Sequence, residues 1–189
     1  MTHKRLTGIL GAALLAITLL TLTWTVALAE ERSCRGTLGA VTVDNLRVPQ
    51  GATCTLNGTR VKGTVYVERS ATLRATNAAI VGNVQAENAA SVNVSGGTVG
   101  GSVQVKQGGG ASVQNVRITG DIQFDSNTRA LTASGNRVTG SIQVMKNSGG
   151  ATISRNTVNG NLQCKENQPA PTGGNNTVKG SKEDQCARL

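Results

Sequence analysis

Aromatic residues are almost missing from this chain: one Trp, one Tyr and one Phe in 189 positions. Ordinary globular cores draw much of their buried area from such rings, so packing here has to rest on small and branched aliphatics. The one histidine is His3, inside an N-terminal stretch that reads as an export signal. Without it, a mature chain has no Ser-His-Asp or Cys-His nucleophile and no imidazole metal ligand. None of the four cysteines forms a CxxC pair, which removes the usual redox and zinc spacings. An exported protein without rings to interleave with bases is also a poor nucleic-acid binder. These absences lead to the expectation of a non-enzymatic protein with no cofactor and no metal.

Residues 1–29 supply the signal. Lys4 and Arg5 form the basic start, Leu6 to Leu28 is apolar, and Ala27-Leu28-Ala29 is a small-x-small cleavage site. The expected mature chain begins at Glu30 and is secreted, to the extracellular space or the cell envelope, with no membrane attachment after cleavage. An uncleaved anchor is the alternative, since the apolar run is long enough to span a bilayer. Cleavage leaves 17 basic and 10 acidic residues, a net charge of +7.

What the chain has is one phrase repeated: RVKGTVYV, AIVGNVQA, TVGGSVQV, RITGDIQF, RVTGSIQV, TVNGNLQC. Its glycines are Gly63, Gly82, Gly101, Gly120, Gly140 and Gly160, with Gly180 in a degraded last copy, at intervals of 19, 19, 19, 20, 20 and 20 residues. A fixed period of this size marks a solenoid, each repeat covering the apolar face of the next. Around each glycine, apolar residues alternate with polar ones, as in Val99, Val103 and Val105. That is the period of a half-buried strand. A second inward pair follows, for example Val92 and Val94 or Leu131 and Ala133. Each coil therefore holds at least two strands joined by turns such as SGG at 95–97. The recurring glycine inside the phrase implies a bend or a close backbone approach at a corner.

The fold expected is all-β: a single-stranded, right-handed parallel β-helix of 19–20 residues per coil. The crossover rule favours the right hand; a left-handed helix would want a six-residue sub-period that is not evident. The expected organisation is signal (1–29), N-terminal cap and first coils (30–58), regular coils (59–164), and a loop with a tied cap (165–189). Within the last part, 165–176 reads as a protruding loop. Lys182 falls in an inward column, where a buried amine would be costly, so the solenoid is expected to stop there. An even cysteine count in an exported chain implies disulfides. Cys34 and Cys54 are 20 residues apart and Cys164 and Cys186 are 22 apart. Residues about one coil apart lie on neighbouring rungs, within disulfide reach, so the pairs 34–54 and 164–186 should staple the two ends.

Two outward features are candidates for binding. Gln85, Gln104, Gln123, Gln143 and Gln163 occupy one column, headed by Tyr66. They read either as an amide ladder along the stack or as an array that docks a linear polymer. Arg117 and Arg137 stand three residues before their glycines, in the column of Arg60, and suggest a basic stripe for an acidic glycan or other envelope polymer. Asn136, Asn156 and Asn176 share a column and read as a turn-stabilising stack. For a glycosidase or lyase, the carboxylates to consider are Glu87, Asp121 and Asp125. However, Lys106 falls between Glu87 and Asp125, and no catalytic residue is assigned.

The phrases AIVGNVQA, TVGGSVQV and RITGDIQF resemble the repeat of the bactofilins, bacterial proteins built as right-handed parallel β-helices that stack end to end into filaments. The likeness covers roughly residues 59–164 and is one of repeat pattern. It implies the fold and, as an alternative function, self-association into a structural polymer. The export signal and the disulfide-tied ends depart from that family. The expected function is a secreted, non-enzymatic solenoid that presents a polar, basic face to a polymer or partner; a polysaccharide lyase or hydrolase stands third.

Overall fold

Chains of alternating Val, Ile, Leu and Ala need a surface to cover their inward side, and here each coil covers the next. The computed structural model describes residues 30–189; the signal expected at 1–29 lies outside them. Among the described residues there is no helix. The strands form three parallel sheets of nine, eight and eight, giving a β-solenoid of about eight coils. One coil shows the pattern. Thr98–Val99 lies in the third sheet, Val103–Lys106 in the first and Gly110–Gln114 in the second. Each pairs in register with the strand one coil away on either side.

The repeated phrase is thus two strands, not one. In TVGGSVQV the chain leaves the third sheet after Val99 and enters the first at Val103. The cause is the glycine corner between them. A side-chain oxygen from each coil accepts the backbone N–H of the same position in the next: Asn83 Oδ1 from Ser102, Ser102 Oγ from Asp121, Asp121 Oδ1 from Ser141 and Ser141 Oγ from Asn161. That oxygen lies where a Cβ on the next glycine would sit. On Gly82 a Cβ would also come within 2.6 Å of the Gly63 carbonyl oxygen. The corner can turn this tightly only because the position carries no side chain.

The bore is filled as the columns imply. Val99, Val103, Val105 and their equivalents up to Cys164 are buried, as are the second-sheet pairs from Leu73 and Ala75 to Ala151 and Ile153. Among the described residues Phe124 is the one ring inside, stacked between Val105 and Val144. Two asparagine ladders run through the C-terminal half. In one, Asn136, Asn156 and Asn176 are buried; each of the first two donates N–H and Nδ2 to the next Oδ1, and each Nδ2 also reaches a carbonyl below. The other runs Asn127, Asn147, Asn167 and ends on Gln185. It begins where the period lengthens from 19 to 20. Lys106 pairs with Asp125, but Ala111 pairs with Leu131, so the extra residue enters the turn that carries Asn127. The larger turn keeps its backbone inside the molecule, and buried amide groups need partners. The ladder supplies them.

Two expectations for the C-terminal end are corrected. The stretch 165–176 follows the coil: Asn167 and Pro171 are buried, and Thr172–Gly174 adds an eighth strand to the second sheet. Nor does the solenoid stop before Lys182. The strand Lys182–Asp184 pairs with Leu162–Cys164 as the ninth of the first sheet. Lys182 is tolerated because its strand is the last of the sheet among the described residues and its side chain is exposed. Both disulfides form as the spacing implies, with Cα–Cα separations of 5.5 Å for Cys34–Cys54 and 5.2 Å for Cys164–Cys186. They fit an oxidising, extracellular environment. Changing Cys164 and Cys186 together to alanine should lower stability by about 3 kcal/mol, the loop-closure value for a crosslink of this span. Because each coil leans only on its neighbours, the loss should appear first as faster amide exchange after Asn161. Uniform acceleration along the chain would contradict the end-staple role.

Candidate functional site

Parallel strands in register turn each outward position into a column along the solenoid. Three columns run along the first sheet. The one at the glycine corner is occupied with structure: its oxygens, including that of Asp121, hold the backbone of the next coil. The middle column is the glutamine strip, in register from Gln85 to Gln163 and ending on Glu183. Only its C-terminal end is bonded as a ladder. Gln143 Nε2 donates to Gln163 Oε1 at 3.2 Å, and Gln163 Nε2 to Glu183 Oε2 at 2.7 Å. Gln85, Gln104 and Gln123 are half-buried and make no side-chain hydrogen bond among the described residues. The outer column alternates in charge, Glu87 beside Lys106 beside Asp125. Asp125 Oδ1 accepts from the Ser126 hydroxyl at 2.7 Å. Glu87, Asp121 and Asp125 are thus set apart from one another, each in its own surroundings.

The N-terminal end of the strip holds a group that the repeat pattern did not single out. Arg47 stands one rung before Tyr66 in the glutamine column. Its guanidinium bonds Glu31 through Nε and Glu68 through Nη1 at 2.6 Å, and lies 5.6 Å from the Tyr66 ring centre. Glu68 also accepts from the Gln50 N–H. Arg47 first, and that N–H second, hold the Glu68 carboxyl below the usual carboxylate range. These charges are over a third exposed, so the pairs contribute little to stability. They close off the first coils and leave Tyr66 with a cation against its face. The signal that could have found it is the 19-residue spacing of Leu46 and Val48 from Val65 and Val67, which places Arg47 in the column of Tyr66.

The arginines lie elsewhere. Arg117 and Arg137 point outward from the third sheet, on directly adjacent rungs. Their column runs Arg60, Ala79, Thr98, Arg117, Arg137, Thr157, Thr177. The neighbouring column is Lys62, Val81, Gly100, Thr119, Thr139, Asn159, Lys179. From Arg60 and Lys62 onward neither contains a carboxylate; Asp44 stands one rung earlier, beside Lys62. Asp44 meets Lys62 at 2.9 Å at the N-terminal edge, while Arg60, Arg117 and Arg137 have no ion pair among the described residues. Arg155 sits on the corner between the second and third sheets, bonded to Ser134 Oγ. The structure therefore separates the two sequence-derived candidates. The glutamines occupy the first sheet and the arginine pair the third, with the glycine corner between. Comparison with the models of known protein families, with curated proteins and with solved structures finds no match.

Proposed function

We propose that this protein is an exported, non-enzymatic β-solenoid that docks an extended acidic polymer of the envelope or extracellular space along its third sheet. The observation that carries this is a face without carboxylates from Arg60 onward, with Arg117 and Arg137 on neighbouring rungs. Like charges directly opposed across strands cost a few tenths to about 1 kcal/mol. An anionic chain laid along the solenoid axis relieves that repulsion and gains two guanidinium contacts. The free amides of Gln85, Gln104 and Gln123 offer neutral hydrogen bonds to sugar hydroxyls on the adjoining sheet.

The test is binding of polygalacturonate and hyaluronate fragments to the disulfide-intact chain, with dextran as neutral control, over a salt series. Acidic chains should bind and weaken with salt, because exposed charges are screened. Changing Arg117 and Arg137 together to threonine should cost about tenfold or more in affinity. The same double variant should be slightly more stable to urea, since the opposed charges are gone. Affinity unchanged in the variant would rule out the third sheet as the docking face. Self-association of the bactofilin kind is the second reading. Among the described residues the outer edge of Glu31–Ser33 has no strand beside it, whereas Cys186 and Gln185 close the last coil. Sedimentation in the same salt series separates the two, as large species persisting at high salt would favour assembly.

A further inference from the structure

The third sheet is not uniformly basic. Between Arg60 and Arg117, two rungs carry only small side chains, Ala79 and Thr98 in one column and Val81 and Gly100 in the next. The missing bulk leaves a depression of about 300 Å³ floored by these four residues and bracketed by the two arginines. Val81 is 51% exposed, the most exposed large hydrophobic side chain of the described residues. Three rungs separate the arginine backbones, roughly 14 Å along the axis. The site thus offers cation, apolar floor, cation along the path of a docked chain.

Resting on the acidic-polymer reading, we infer that this depression selects a glycan in which acidic and neutral sugars alternate. The spacing leaves room for one neutral ring between two acidic ones. The neutral ring sets its C–H face on Val81 and Ala79, and the flanking carboxylates reach Arg60 and Arg117. A chain with a carboxylate on every ring fits less well. Its middle carboxylate is placed over Val81 and Ala79, losing water without gaining a partner, and an unpaired charge taken out of water is costly. A wholly neutral chain leaves both guanidiniums unused. Specificity here comes as much from the absent cation in the middle as from the two at the ends.

The experiment compares hyaluronate oligosaccharides, which alternate glucuronate with a neutral amino sugar, with oligogalacturonates of equal length at one ionic strength. The alternating chain should bind at least about tenfold tighter despite its lower charge. Val81→Asp and, separately, Thr98→Asp put a carboxylate on the floor at exposed positions. Each should weaken hyaluronate about tenfold or more, by like-charge repulsion, with the circular dichroism spectrum of the folded chain unchanged. Oligogalacturonate binding as tightly as hyaluronate, or better, overturns the alternating-chain inference and leaves the docking reading standing. Unchanged hyaluronate affinity in both floor variants also overturns the inference. If neither acidic chain binds, the docking reading fails with it.

Discussion

Replacing Gly120 with alanine should destabilise the solenoid by about 3 kcal/mol, the upper range for forcing atoms into a packed site. The reason is steric. Gly120 is not in the left-handed region, so no positive φ stands against a side chain there. The obstacle is the coil below: a Cβ here would stand 2.8 Å from both the carbonyl carbon and oxygen of Gly101, and against Ser102 Oγ. A side chain could rotate away, but a carbonyl in the ladder cannot. The Gly120 N–H donates to that same Gly101 oxygen at 3.0 Å, and the Asp121 N–H to Ser102 Oγ at 3.0 Å. Relieving the clash stretches both bonds, and the shift passes to Gly140, which stands on Gly120 in the same way. A urea titration measures the loss. Adding Ser102→Gly should recover only part of it, because the backbone contact remains. Full recovery would mean that the hydroxyl alone was the obstacle.

This corner explains what was legible in the sequence and what was not. The glycine column and the inward Val, Ile and Leu columns showed the solenoid, its period and both disulfides, because each is a strict periodic constraint on one residue type. The three-sided section was hidden because strands such as Thr98–Val99 are two residues long, too short to show alternation. For the same reason the sequence did not place the glutamine and arginine columns on different sheets. Only five residues separate Arg117 from Gln123, yet the chain turns a corner between them. Asn136, Asn156 and Asn176 were visible as a column. Asn127, Asn147 and Asn167 were not, since asparagine in a polar turn looks like any solvated loop residue until the turn is known to fold inward. The change of period from 19 to 20 was the trace of that turn. The depression beside Arg117 was invisible for another reason: small residues make a site only when their neighbours in space, three coils apart in sequence, are large.

Changing Asn156 to leucine should cost about 3–5 kcal/mol, although leucine is close in size and the site is buried. Asn156 Oδ1 accepts two bonds, from the N–H and Nδ2 of Asn136. Its own Nδ2 donates to the Ala133 carbonyl at 2.9 Å and to Asn176 Oδ1 at 2.9 Å. Leucine removes all four and leaves the Asn136 N–H buried with no acceptor. Orphaned groups of this kind cost about 1–3 kcal/mol each. Asn156→Asp separates acceptance from donation. An aspartate still accepts from Asn136, but it cannot donate, and it faces the Ala133 and Asn176 oxygens. Burial and those oxygens raise its pKa above the unfolded value, so the folded state holds the proton more tightly. Its stability should be greatest below the unfolded pKa and fall as pH rises toward the folded pKa. The leucine variant should show no such extra slope. Combining Asn136→Leu with Asn156→Leu should cost less than the two separately, because the bonds they share are counted once. Strict additivity would mean that the ladder is a set of independent side chains. Less than additive loss would mark it as one element, in which the inward turns of the longer coils are held by a continuous line of amides along the solenoid.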